Sequence, residues 1–154
     1  MKKAIFIVPL VVALDQATKL IIKRFMAPYE TIEVFPFLQI VSIRNKGAAF
    51  GLFSNLGNLP FIVISSLAII FLSVYLFKSS GIKAVALCFI LGGAIGNLID
   101  RLYLGKVVDF IDFHIGRWHW PAFNVADSCL VIGMLLFAIG FGFTKNECAI
   151  DTGA

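Results

Sequence analysis

Four stretches of mainly apolar residues dominate the chain, and each is long enough to cross a bilayer as a helix. A spanning helix needs about 20 apolar residues to cover the hydrocarbon. The pattern predicts such helices at about Ala4–Ile22, Leu59–Phe77, Ile82–Ile99 and Pro121–Phe143. The second contains no charged residue, whereas the fourth carries Asp127 in its expected second turn. Four spans would place both chain ends on the same side of the membrane.

A segment between the first two predicted spans has a different pattern. Residues 29–53 include the run YETIEVFPFLQIVSIRN, which is rich in β-branched and aromatic residues and partly alternating. This pattern predicts one or two strands, interrupted at Pro36, at the membrane surface. The predicted fold is therefore mainly α, with four transmembrane helices, a small surface β element and a loop before the fourth helix. We expect one domain over residues 1–154.

The composition agrees with a membrane protein. Of the 154 residues, 60% are hydrophobic and 14% are charged, whereas soluble domains are about 25% charged. A soluble fold of this size cannot hide so much apolar surface. The net charge of +4 fits basic side chains near anionic headgroups, and the sequence has no pattern typical of a nucleic-acid-binding protein. The apolar N-terminus lacks a convincing signal-peptide cleavage motif, so we interpret it as an uncleaved first span.

Several common site chemistries fit the sequence poorly. Cys88 and Cys129 lie in apolar runs and are expected to be buried hydrophobic residues. His114 and His119 lie five residues apart without an HExxH motif, which argues against a zinc protease. The chain also lacks a GxSxG motif. We therefore expect neither a metal nor another cofactor.

The acidic residues of the predicted helix ends collect on one side of the membrane. The four-span topology puts five carboxylates at the same face: Asp15, Asp100, Asp109, Asp112 and Asp127. An ionisable group at membrane depth costs about 2.5 kcal/mol or more, so such groups indicate function by default. We therefore expect a polar cavity, reached by water, at this face.

The strongest chemical signal is the pair Asp109 and Asp127, in the runs VVDFIDF and FNVADS. The segment carrying Asp109 precedes the fourth span and can fold back over its start, where Asn124 shares a helix face with Asp127. Two neighbouring carboxylates share one proton over a useful pH range. An aspartyl protease uses such a pair to activate water and polarise a peptide carbonyl. Chemistry alone would accept Asp112 in place of Asp109, and two acids near a membrane interface can also be simply solvated charges.

Other polar residues near this face have both structural and functional interpretations. Asp15 and Lys19 are spaced i, i+4, which favours an ion pair inside the bundle and leaves a substrate contact as the alternative. The glycines of GGAIGNLIDR form a GxxxG arrangement typical of closely packed helices. Asn97 and Arg101 lie one turn apart and suit a neighbouring loop or a substrate backbone, while Arg101 also suits a lipid phosphate.

Two other functional classes fit the same acids. A small ion-coupled transporter would use them as a proton relay, and a non-enzymatic assembly factor would only bind signal helices. The orientation also stays open at this level. The side with the chain ends holds five Lys and Arg residues and the other side eight, which by the positive-inside rule would place the ends outside.

Five segments resemble those of the lipoprotein signal peptidase (signal peptidase II) family: DQATK, RNKGAAFG, GGAIGNLIDR, VVDFIDF and PAFNVADS. They occur in the family's order and spacing and span nearly the whole chain. The resemblance implies that Asp109 and Asp127 are the catalytic dyad. It further implies that eight residues shape or support the site: Asp15, Lys19, Asn45, Gly47, Asn97, Asp100, Arg101 and Asn124.

The resemblance also implies a substrate and a location. The family removes the signal peptide of prolipoproteins just before a diacylglyceryl-modified cysteine, in the bacterial inner membrane. Its site lies at the periplasmic face and its termini are cytoplasmic, against the charge count above. The surface strands would then form a cradle, with the loop before the fourth helix as a mobile flap. Expected partners are these lipidated precursors and membrane lipid, with the protein acting as a monomer.

Overall fold

The computed structural model describes residues 4–47 and 57–151, with side chains described up to residue 140. Within these ranges the chain forms four α-helices, with a 3₁₀ turn at Ala4–Phe6 leading into the first. The helices are α1 (Ile7–Phe25), α2 (Leu59–Phe77), α3 (Gly81–Leu104) and α4 (Val125–Asp151). Four strands complete the fold: β1 (Thr31–Phe35), β2 (Leu38–Asn45), β3 (Val107–Ile115) and β4 (Trp118–His119).

Three helical segments are long and apolar enough to cross a membrane, namely Ala4–Phe25, Leu59–Phe77 and Gly81–Leu104. The described apolar part of α4, Val125–Gly140, is shorter. Only 6% of the α2 window is buried inside the protein, against 50% of the α3 window. The mainly helical fold predicted from the hydrophobic pattern is therefore confirmed. Helix α3 is the centre of the bundle, and most of α2 faces outward.

Close helix contacts around α3 depend on glycine. A Cβ atom at Gly92 would lie 2.7 Å from Cβ of Val11 in α1, and one at Gly93 would meet the backbone of Ala126 in α4. A Cβ at Gly96 would lie 2.6 Å from Oδ2 of Asp15. These approaches confirm that the GxxxG glycines serve helix packing. They also bring the acidic residue of α1 directly against α3.

Replacing Gly96 by alanine is expected to lower the melting temperature of the purified protein. Helix propensity alone favours alanine by about 1 kcal/mol, so the sign of the change is informative. The new methyl group would meet Oδ2 of Asp15, which is fully buried and fixed by Lys19. Thermal unfolding in detergent measures the effect, with Ala94→Gly on the same helix as the control for propensity. A higher melting temperature in Gly96→Ala would contradict the packing described here.

The strands form one antiparallel sheet in the order β1-β2-β3-β4. One or two strands were predicted between the first two spans, and the structure has two, β1 and β2, on either side of Pro36. The loop expected before the fourth helix was a wrong prediction, because residues 107–115 form β3, which pairs with β2 from Leu38↔Phe113 to Asn45↔Val107. VVDFIDFHI is rich in β-branched and aromatic residues, and its partner strand lies more than 60 residues earlier in the chain. Patterns of neighbouring residues therefore did not predict that this segment pairs with β2.

Helix α4 begins at Val125 rather than at Pro121. Residues before it are extended, because Phe123 exchanges backbone hydrogen bonds with Ile111 of β3 at 2.8 and 3.0 Å. Asp127 consequently lies in the first turn of α4 and not in the second. The difference matters for the site, because a side chain in the first turn can bond the backbone N–H groups at the helix start.

Candidate active site

Asn124 fixes Asp127 at the start of α4 through reciprocal hydrogen bonds. The backbone N–H of Asp127 donates to Oδ1 of Asn124 at 2.9 Å, and the backbone N–H of Asn124 donates to Oδ2 of Asp127 at 3.3 Å. This is the arrangement of a capping box. The second oxygen of Asp127 accepts a hydrogen bond from Nδ2 of Asn97 in α3 at 2.8 Å. Both oxygens of this carboxylate are therefore oriented by asparagines.

Asp109 lies on β3 and is joined to Asp127 through the same asparagine. Its Oδ1 accepts a hydrogen bond from Nδ2 of Asn124 at 2.7 Å, and its Oδ2 accepts one from Nδ2 of Asn45 at 3.1 Å. The side chain of Asp109 is almost fully buried. Asn124 thus bonds Asp109 through its side-chain nitrogen and caps α4 through its side-chain oxygen. The carboxylates of β3 and α4 are brought together by one residue.

Asp112 is directed elsewhere. Its carboxylate accepts a hydrogen bond from Nε2 of Gln39 at 2.6 Å and lies 2.9 Å from Nδ1 of His119. An offset of three residues along a strand places Asp109 and Asp112 on opposite faces of the sheet. The residues alone left open whether Asp109 or Asp112 is the partner of Asp127. The fold brings Asp109 to it.

Both carboxylates line a cavity of about 610 Å³. Its polar lining residues come from α3, α4, β3 and the end of β2, and its apolar ones from β3, residues 120–123 and α4. The lining residues are Asn45, Gly47, Asn97, Arg101, Val107, Asp109, Trp120, Pro121, Ala122, Phe123, Asp127, Ser128, Leu130, Val131, Ile132 and Met134. A cavity with two carboxylates and a long apolar wall suits an amphiphilic ligand.

A buried ion cluster lies behind the cavity. Nζ of Lys19 is 2.8 Å from Oδ2 of Asp15 and 3.2 Å from Oδ2 of Asp100, and it donates to Oδ1 of Asn97 at 3.0 Å. The side chains of all three charged residues are at most 1% exposed. The structural ion pair expected from the i, i+4 spacing is confirmed, and Asp100 joins it from α3.

The cluster also fixes the two elements that carry the paired carboxylates. Oδ1 of Asp15 accepts a hydrogen bond from the backbone N–H of Ala126 in α4 at 2.9 Å. Oδ2 of Asp100 accepts one from the backbone N–H of Val108 in β3 at 3.0 Å. Each acid of the cluster therefore holds the residue immediately before Asp109 or Asp127. Sequence reasoning placed the acids at one membrane face but did not predict these backbone contacts.

Gln16 is a member of this network that the sequence analysis missed. Its Nε2 donates to the backbone oxygen of Gly96 at 3.1 Å and to the carboxylates of Asp15 and Asp100 at 3.1 and 3.4 Å. The sequence did contain a signal for this role, because Gln16 is an amide next to an acid inside an apolar span. Polar groups in such a span indicate contacts inside the bundle.

Arg101 contacts a neighbouring loop, which is one of the alternatives open from the sequence. Its Nη2 donates to the backbone oxygen of Gly47 at 3.3 Å, and its guanidinium lies 5.2 Å from the ring centre of Phe61. The backbone N–H of Gly47 donates to Oδ1 of Asn45 at 2.9 Å. Asn45 also bonds Asp109. The segment at the end of β2 is therefore connected both to Asp109 on β3 and to Arg101 on α3.

The electrostatic environment of Asp109 favours a bound proton. Burial, followed by the negative charge of Asp127, raises the pKa of Asp109 to about 6. Hydrogen bonds from Asn45 and Asn124 and the charge of Lys19 act in the opposite direction. The net effect is a carboxyl that titrates closer to neutrality than an ordinary aspartate.

Asp109→Asn is expected to change the pH dependence of stability. An unfolded aspartate has a pKa of about 3.9, below the value of about 6 in the folded protein. The folded state therefore binds more protons between these values, and the contribution of Asp109 is fully present below pH 4 and is lost as the pH rises through 6. Melting temperatures in detergent at pH 4 and pH 8 test this. The variant should gain stability over wild type from pH 4 to pH 8, and a difference that stays constant or shrinks would contradict the assignment.

Taken together, an apolar helical bundle holds two asparagine-bridged carboxylates in one cavity, which defines the class as a membrane protein with a site suited to acid–base hydrolysis. The chain belongs to the signal peptidase II family, since the profile described as signal peptidase (SPase) II matches residues 7–143. It is accordingly a protease.

Curated relatives cover most of the chain. A lipoprotein signal peptidase of Anaplasma phagocytophilum (strain HZ) is 45% identical over 136 residues, covering 86% of this chain and 87% of the relative. One of Syntrophotalea carbinolica (strain DSM 2380 / NBRC 103641 / GraBd1) is 47% identical over 142 residues, covering 87% and 88%. Residues 7–143, which the signal peptidase II profile matches, contain all the candidate site residues described above, from α1 to the start of α4.

Two solved structures share the fold. A bacterial membrane enzyme determined by the in meso method at 2.3 Å resolution superposes with a TM-score of 0.86 at 40% identity, over 96% of this chain and 92% of that chain. A second one, determined by the same method at 1.9 Å resolution, gives a TM-score of 0.80 at 41% identity, over 92% and 93%. The chain is thus similar to experimentally known membrane enzymes over nearly its full length.

Proposed function

We propose that this protein removes signal peptides from prolipoproteins by an aspartyl mechanism, with Asp109 and Asp127 as the catalytic pair. The observation that carries the proposal is that Asn124 bonds both residues at the wall of one cavity. Substrate class follows from membership of the signal peptidase II family and from relatives named lipoprotein signal peptidase. The cleaved bond is the one just before a diacylglyceryl-modified cysteine.

The chemistry needs one proton shared by two carboxylates. The ionised member takes a proton from water, while the protonated member donates a hydrogen bond to the peptide carbonyl. The raised pKa of Asp109 supports Asp109 as the protonated member at the start. Asp127 accepts hydrogen bonds from the Asn97 side chain and the Asn124 backbone, which suits a base. The pair titrates as one unit, so both assignments describe a single shared proton.

The remaining predicted residues have supporting roles in this proposal. The buried cluster of Asp15, Lys19 and Asp100 positions the backbone beside each catalytic acid. Asn97 and Asn124 orient the carboxylates. Residues at the end of β2 and in α3 shape the entrance, namely Asn45, Gly47 and Arg101.

The proposed topology is a single domain with four spanning helices, α4 being the fourth. The catalytic acids then lie at one face of the membrane with the sheet as a cradle beside them, at the level of the ends of α1 and α3 and the start of α4. We assign this face to the periplasmic side and the termini to the cytoplasm. A lipidated cysteine reaches such a site at headgroup depth while its acyl chains stay in lipid. The protein acts as a monomer in contact with lipid and precursor.

The ion-coupled transporter that the same acids allowed gains no support from the comparisons, whose named relatives are peptidases. A signal-helix-binding assembly factor gains none either. A protease and these two alternatives differ in whether a peptide bond is broken.

Purified wild-type protein in detergent, incubated with a diacylglyceryl-modified precursor, tests the proposed function. We expect one cut immediately before the modified cysteine, identified from the masses of both products. The matched control is the same precursor with an unmodified cysteine, which should be cleaved much more slowly because it lacks the lipid anchor. Failure to cleave the modified precursor, or cleavage at another bond, would refute the proposal.

A further inference from the structure

Residues 120–123 connect β4 to α4 and run along the side of β3 that faces away from β2. The backbone N–H groups of Phe123 and Trp120 donate to Ile111 and Phe113 at 3.0 and 2.8 Å, and Ile111 donates back to Phe123 at 2.8 Å. Pro121, which has no N–H, lies between these contacts, and the pairing is offset there by one residue. This edge segment (residues 120–123) therefore follows β3 irregularly, with an isolated bridge at Phe123 and no regular strand.

Ala122, which precedes Phe123 in the edge segment, has both an N–H and a C=O group that the sheet does not use. Successive residues of an extended chain direct their N–H and C=O groups to opposite edges. Since Phe123 bonds β3 with both groups, those of Ala122 point away from β3. Among the described residues neither group of Ala122 has a hydrogen-bond partner. Ala122 also lines the cavity that contains Asp109 and Asp127.

Unpaired backbone groups are costly in apolar surroundings, because no water replaces the missing partner. The cavity is lined mostly by apolar residues, with Phe123, Leu130 and Val131 among them. A peptide bond inside an intact helix has its own N–H and C=O groups occupied by intrahelical bonds. A substrate unwound for attack by water exposes these groups and needs new partners. Ala122 offers one donor and one acceptor in the cavity that the two carboxylates line.

We propose that the backbone of Ala122 pairs with an extended segment of the substrate next to the scissile bond, which adds as a strand to the edge segment. The inference rests on the proposed protease function and specifies how that site holds its substrate. Backbone pairing does not depend on the substrate's side chains. It therefore fixes the register of the substrate in the cavity and leaves the residues around the scissile bond free to vary. Ala122 is a binding residue in this arrangement, and Asp109 and Asp127 perform the chemistry.

An ester scan of the substrate tests the pairing without altering the protein. One backbone amide at a time is replaced by an ester in the diacylglyceryl-modified precursor, on either side of the scissile bond but not at it. An ester lacks the N–H that would donate to the Ala122 carbonyl. We expect one position to lower kcat/KM about tenfold, the loss corresponding to one hydrogen bond, and the other positions to behave like the parent. Equal cleavage of all esters would overturn the inference while leaving the protease function intact, whereas an uncleaved parent would refute the protease function itself.

Ala122→Pro links the effect to this residue. Proline removes the Ala122 N–H, which would donate to a substrate carbonyl, but keeps the Ala122 C=O. We therefore expect kcat/KM for the parent precursor to fall about tenfold in the variant and the ester penalty to remain, with the melting temperature as the check on folding. An unchanged kcat/KM in folded Ala122→Pro would show that another group donates to the substrate carbonyl and would overturn the assignment. If the variant does not fold, the ester scan of the wild-type protein alone decides.

Discussion

Replacing Asp109 or Asp127 by asparagine is expected to lower the rate of precursor cleavage by at least about 10³-fold, within the range that acid–base groups contribute to catalysis. Asparagine keeps the shape of the side chain but removes the shared proton and the negative charge. Without them, water is not deprotonated and the carbonyl is not polarised. The single-turnover rate with the diacylglyceryl-modified precursor measures the effect.

Asp112→Asn is the matched control for this prediction. Asp112 lies on the same strand as Asp109 but bonds Gln39 and His119 instead of the asparagines of the site. We expect Asp112→Asn to cleave at a rate close to wild type, and all three variants to remain folded by thermal unfolding. Near wild-type cleavage by folded Asp109→Asn or Asp127→Asn would exclude the proposed pair.

Replacing Lys19 by methionine is expected to prevent the accumulation of folded protein. The change leaves Asp15 and Asp100 buried without their cation, and breaking a buried ion pair costs about 3–5 kcal/mol, a large part of a typical total stability of about 5–15 kcal/mol. Both acids also hold backbone N–H groups at the starts of α4 and β3, so the damage extends to the site. The yield of monodisperse protein and its melting temperature measure the outcome.

Arg24→Met provides the comparison, because Arg24 is an exposed basic residue in the last turn of the same helix. It should change the melting temperature little. Adding Asp100→Asn to Lys19→Met removes one of the two unpaired charges and should recover part of the lost stability. If Lys19→Met proves as stable as Arg24→Met, the cluster is not the structural centre described here.

The hydrophobic pattern predicted the helical part of the fold well, because a membrane span is defined by local composition. Helix α2 has the predicted bounds, Leu59–Phe77. The pattern failed where partners are distant in sequence. Residues 107–115 form β3 because they pair with the hydrogen-bonding edge of β2. The sequence around residues 107–115 does not show that this edge is nearby. Similarly, Pro121 favours a helix start by itself, but Phe123 pairs with β3 and delays the helix to Val125.

For the site, topology alone brought the acids to one membrane face, and the resemblance to the family distinguished Asp109 from Asp112. The reason for that distinction is geometric, since Asn124 reaches only the face of β3 that carries Asp109. The buried contacts from Asp15 to Ala126 and from Asp100 to Val108 were beyond prediction, because they depend on how closely α1, α3 and α4 approach. Gly96 permits that approach by leaving room for Asp15.

The central claim is that Asp109 and Asp127 act as one catalytic unit, and a double-variant cycle tests it most directly. Residual single-turnover rates are compared for Asp109→Asn, Asp127→Asn and the variant carrying both changes. Groups that act together are strongly non-additive, so removing both costs little more than removing one. We predict that the double variant cleaves the modified precursor at about the rate of the single variants. A double variant slower by the product of the two single effects would contradict the claim, since it would mean that each carboxylate works independently of the other.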